Sequence, residues 1–84
     1  MTKSDQLYEN VVSVTQTYLG PAADRFITRQ IRNHLRKAPE RLVKKDLADL
    51  IDWIRVAMGF LTEDHELIDE YIKNLEGLAR KQER

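Results

Sequence analysis

Apolar residues recur every three or four positions along nearly the whole chain. The rhythm breaks at Gly20-Pro21, across Ala38-Pro39 to Lys45, and near Thr62. A 3.6-residue period lays such positions on one face of an α-helix, whereas a half-buried strand needs strict alternation. The spacing therefore predicts an all-α protein. It would be a compact four-helix bundle, a single helical domain over 1–84, with helices at about 4–19, 21–37, 46–61 and 63–81. Eighty-four residues lie near the lower end of what one hydrophobic core can hold together.

Each break has a local cause. Thr2 or Ser4 can cap the first helix, whose stripe is Leu7, Val11, Val14 and Tyr18, widened by Tyr8, Val12 and Leu19. Gly20 suits the left-handed residue after a helix end, and Pro21 suits a first helical position, where its missing N–H is not needed. The second helix would turn Ala22, Ala23, Phe26, Ile27, Ile31, Leu35 and Ala38 inward. It would end at Ala38, because the residue before a proline is pushed out of helical geometry. Leu42 and Val43 would tuck in under the connection. Asp46 is placed to cap the third helix, with Leu47, Leu50, Ile51, Ile54, Ala57, Met58 and Leu61 as its core stripe. Thr62 would cap the fourth, with Glu63 and Asp64 in its first turn, where the helix dipole favours negative charge.

Charge is segregated although the net charge is zero. From Arg25 to Lys45 eight basic residues stand against Glu40 alone, a balance of +7; from Asp46 to Glu76 nine acids stand against Arg55 and Lys73, a balance of −7. Within the basic half, Arg25, Arg29, Arg32 and Arg36 are spaced to share one helix face with no acid between them. That row has three readings: pairing with Asp46, Asp49 and Asp52 of the third helix, docking a protein or a second copy of this chain, or gripping phosphates of nucleic acid or acidic lipid. A neutral chain without exposed aromatics along the row argues against nucleic acid. Trp53 falls off the core stripe of the third helix. It either covers a loop edge or, with Val56, Met58, Phe60 and Tyr8, anchors an interface.

Chemistry is sparsely represented. Two histidines and two serines occur without triad order or nucleophile elbow, and the Asp49/Asp52 pair has no evident pocket, so no catalytic residue is assigned and an enzyme is not expected. His65, Glu66 and Asp69 fit neither zinc spacing nor a calcium loop, and no metal or cofactor is assigned. An acyl carrier protein would need Asp-Ser-Leu at a helix start; here the third helix opens Asp46-Leu47-Ala48. There is no cysteine, no secretory leader pattern and no apolar run of bilayer length, which together predict a cytoplasmic protein without a transmembrane segment.

The string Tyr18-Leu19-Gly20-Pro21-Ala22-Ala23, followed by the basic helix and Leu47-Ala48-Asp49-Leu50-Ile51, resembles a small helical module near the C-terminus of some bacterial serine/threonine kinases and other regulators. The likeness spans roughly Tyr18 to Leu75. Gly20, Pro21 and Ala23 match its Gly-Pro-x-Ala helix start, while Ala22 stands where a bulkier apolar residue is common. The resemblance implies a non-catalytic signalling accessory. Together these readings point to a self-associating protein-interaction or regulatory module of a bacterial signalling system. Its surface would be Arg25, Arg29, Arg32, Arg36 and Trp53, with an anion-binding module as the alternative.

Overall fold

The computed structural model describes the backbone of residues 3–81 and the side chains of 7–80. Helix α1 (Lys3–Leu19) turns Leu7, Val11 and Thr15 inward at i, i+4 and i+8, while Val12, Val14, Tyr18 and Leu19 are half-buried at its margins. The expected cap at Thr2 or Ser4 lies outside the described side chains. Gly20 takes φ +60, the left-handed geometry its position requires, and Pro21 opens a 3₁₀ turn over Gly20–Ala22.

The second segment departs from the expected helix over 21–37. Regular α-helix, α2, covers only Ala23–Gln30. A π turn follows over Ile31–Leu35, closed by Arg36 N–H donating to the Ile31 carbonyl at 3.0 Å, and Arg36 itself is left-handed at φ 58, ψ 42. Pro39 holds Ala38 extended (φ −71, ψ 147), so the chain must leave the helix before that residue. The four-helix bundle is thus corrected to three long α-helices, α1, α3 and α4, with a short composite second segment.

Two 3₁₀ turns, Pro39–Arg41 and Lys44–Asp46, lead into α3 (Leu47–Leu61). Leu42 is buried between them, whereas Val43, expected to tuck in, is exposed. Asp46 stands before α3 but its carboxylate turns back, accepting from Val43 N–H at 3.1 Å and from Lys37 Nζ at 2.6 Å. Helix α3 buries Leu47, Leu50, Ile51, Ile54 and Met58; Leu61, assigned to that stripe, lies beyond the end of the core and is exposed.

Helix α4 (His65–Lys81) is capped two residues later than expected. Asp64 Oδ1 accepts from Leu67 N–H at 3.1 Å, the N-cap bond, while Thr62 Oγ1 accepts from Asp64 N–H at 3.1 Å. It buries Ile68, Tyr71, Ile72 and Leu75 against α1 and α3, and Gly77 does not interrupt it. The fold is all-α, with no strand among the described residues. A Cα radius of gyration of 11.8 Å matches the roughly 12 Å of a close-packed body this size.

Candidate functional site

Arg25, Arg29 and Arg32 are exposed along α2 and the start of the π turn. Arg36 does not continue the row: the wider turn shifts the helical register, and its left-handed backbone carries the side chain out of it. No ion pair joins any of the four to Asp46, Asp49 or Asp52 among the described residues. Asp46 is engaged by Lys37, and Arg55 pairs with Asp69 at 3.4 Å. Internal neutralisation by the aspartates of the third helix is therefore set aside.

Trp53 is positioned from outside its own helix. Its ring stacks on His34 of the π turn, with centroids 3.8 Å apart and planes 6° from parallel. One ring face is covered while the side chain keeps 42 % of its exposure. Val56 and Phe60 follow at i+3 and i+7 on the same outward face, 53 % and 86 % exposed, and Leu61 beside them is 59 % exposed. Met58, read as part of that anchor, is buried on the opposite side. Three large apolar side chains in line on one helix face, with Leu61 adjoining at its end toward α2, exceed the scattered exposure normal for a soluble monomer.

The arginines and the strip meet. A groove of about 450 Å³ between α2 and α3 has Ala22, Phe26, Ala57 and Leu61 among its walls, with Arg25 and Arg29 at its edge. Gln30 also reaches this groove; it is buried, and its Oε1 has no hydrogen-bond partner among the described residues. The outer side of the arginine row is a second, more polar depression of about 530 Å³ that includes Thr28 and Asn33.

The tyrosines are occupied in holding α1 to its neighbours. The Tyr8 hydroxyl donates to Asp24 Oδ1 and lies 2.8 Å from Thr28 Oγ1, which removes Tyr8 from the interface expected of it. Tyr18 donates to Glu70 Oε2 at 3.0 Å and accepts from Asn74 Nδ2 at 2.7 Å. Burial, reinforced by these carboxylates, raises the hydroxyl pKa of Tyr8 and Tyr18. Tyr71, fully buried against Tyr18 and bonded to Thr15, is pushed up to about 12, chiefly by burial. His65, Glu66 and Asp69 lie exposed on the first turns of α4.

The spacing of the arginines was readable from sequence, but the His34–Trp53 stack was not, because it joins segments 19 residues apart through an irregular turn. The exposure of Val56 and Phe60 was readable in part: both fall opposite Leu50, Ile54 and Met58 on a helical projection. No helix among the described residues is long and apolar enough to cross a membrane. No protein-family model, curated protein or solved structure matches the chain.

Proposed function

We propose that this chain is a non-catalytic protein-interaction module of regulatory type. It works through the face formed by Arg25, Arg29 and Arg32 of the second segment and Trp53, Val56, Phe60 and Leu61 of α3. The observation that carries the reading is the exposed apolar strip lying beside cations that have no acid partner among the described residues. Apolar anchors with a charged rim are the composition of a binding surface, and Trp and Arg are the side chains that contribute most at such surfaces. The bacterial signalling setting rests on the resemblance across Tyr18 to Leu75, and the cytoplasmic one on the cysteine-free composition.

A photo-crosslinking residue placed at Val56, and separately at Glu9 on the far surface of α1, tests this in the protein's native cells. Protein adducts, to any partner, are expected from position 56 well above those from position 9. Equal yields from both positions would end the interaction reading.

A second reading has one observation in its favour: the arginines, with Thr28 and Asn33, line an open polar depression suited to phosphate oxygens. Binding to a single-stranded oligonucleotide or to vesicles of acidic lipid would then fall steeply between 50 and 200 mM salt, on the order of tenfold or more. An interaction module shows no such binding at either salt concentration.

A further inference from the structure

We propose that the occupant of this face is a second copy of the chain, docked with the two α3 helices parallel and in register about a two-fold axis. The proposal rests on the interaction reading above and names its partner.

The first ground is the seam. Trp53, Val56 and Phe60 are spaced three and four apart, the alternation by which two helices pack along a shared line. All three point out of the protomer, and of the three only Trp53 has a ring partner among the described residues. In a parallel, in-register pair each meets its own counterpart, and Phe60, the most exposed of them, gains the most cover. Asp49, exposed four residues before Trp53 on the same line, ends the seam, and the two helices splay there to separate its like charges.

The second ground is charge, which selects the parallel arrangement over the antiparallel one. On one flank of the seam Ala57 and Leu61 share a groove with Arg25 and Arg29. On the other flank Arg55 reaches Asp69 of α4, and Glu66, three residues earlier on α4, lies nearer the turn that joins the two helices. Arg55 offsets one of these two acids and leaves that flank acidic by one charge. The basic and acidic flanks stand at the same level of α3, between residues 55 and 61, on opposite sides of the apolar line. A two-fold axis along α3 exchanges left for right and keeps the level. It brings Arg25 and Arg29 of each protomer toward Glu66 and Asp69 of its partner, as flanking charges pair across parallel coiled coils. An axis across α3 would instead set arginines against arginines. The acid complement of the arginine row is thus in the same chain, but on another copy of it.

Gly59 fits the same picture. It lies on α3 beside the seam, and a Cβ there would meet nothing within 4 Å in the protomer. Glycine inside a helix costs about 1 kcal/mol relative to alanine. No packing within one copy requires it, and a helix seated on the seam would pass beside this open position.

The test uses the absence of cysteine. Trp53→Cys and Phe60→Cys, made singly and oxidised, are each expected to form a disulfide-linked dimer, because in-register residues face themselves. The two positions are seven residues apart, about 10.5 Å along the helix. That separation exceeds the roughly 4.4–6.8 Å Cα reach of a disulfide, so an antiparallel pair cannot link both positions to themselves. In sedimentation equilibrium, Arg25→Glu/Arg29→Glu and Glu66→Lys/Asp69→Lys should each dimerise at least tenfold more weakly than the parent. An equimolar mixture should recover the parent affinity, since both flanks are then complementary. Crosslinking at neither or only one of the two positions, or a mixture no tighter than its components, would overturn the proposal. A parent chain that stays monomeric yet gives adducts to another protein from position 56 would also refute the second copy, while leaving the interaction reading intact.

Discussion

Thr15 and Tyr71 show how a single proton decides what a substitution costs. Thr15 has one hydroxyl hydrogen and gives it to the Val11 carbonyl at 2.8 Å, so in the 2.6 Å contact Tyr71 must be the donor. Thr15→Val leaves a buried Tyr71 O–H with no acceptor and should cost about 1–3 kcal/mol in urea denaturation. Tyr71→Phe leaves the Thr15 hydrogen bonded and should cost about 1 kcal/mol, with the double variant less destabilised than the sum. The same tyrosine makes stability depend on alkaline pH. Its folded pKa of about 12 lies above the roughly 10 of an unfolded chain, so its contribution is complete below pH 10 and is lost as pH rises toward 12. The loss amounts to roughly 3 kcal/mol. Tyr71→Phe should flatten the curve in that window; lysines titrate in both proteins, so the difference between the two curves isolates Tyr71. Arg36 is the third residue whose cost is local. An arginine at φ 58 carries strain that glycine does not, and Arg36→Gly should raise the unfolding free energy by about 1 kcal/mol.

The helices themselves divide by how completely local chemistry determines them. Helices α1, α3 and α4 were legible because each carries an uninterrupted apolar stripe between recognisable ends, and Gly20-Pro21 marked its boundary correctly. The second segment was less so. Its stripe of Ala23, Ile27 and Ile31 continues to Leu35, and nothing in the residue types reveals that the last turn widens to π and closes on a left-handed Arg36. Gln30 compounds this: its polarity placed it on no core face, yet it is 7 % exposed, held there by α2 geometry alone. The start of α4 was read as a Thr62 cap with Asp64 in the first turn, because the residue types do not reveal which of two oxygens two residues apart meets the free N–H groups. The bonds choose Asp64, so Asp64→Ala should lower stability by about 1 kcal/mol. Thr62→Ala, which removes only the acceptor for the Asp64 N–H, should lower it less; chemical denaturation of the two variants checks the order.

At the scale of the molecule, segregated charge left internal pairing open as one of three readings, and the geometry withholds it because Asp46 is engaged by Lys37 and the arginines lie on the opposite side of α2 from the core. The candidate surface was therefore half legible: its cations and Trp53 were visible as types, but their meeting with Val56, Phe60 and Leu61 depended on α2 lying beside the C-terminal half of α3. This arrangement has a thermodynamic consequence. If copies join through α3, the folded chain is stabilised by mass action and its Tm must rise with protein concentration. Phe60 is 86 % exposed, so Phe60→Ser removes seam contact while leaving the core untouched. Parent and variant should melt together at micromolar concentration and diverge by several degrees near millimolar, since each 1 kcal/mol of added stability moves Tm by roughly 4–8 °C in a domain of this size. Differential scanning calorimetry over that range distinguishes the cases. A constant gap between the two proteins would mean that Phe60 supports the fold itself, whereas a gap that opens with concentration places it between copies.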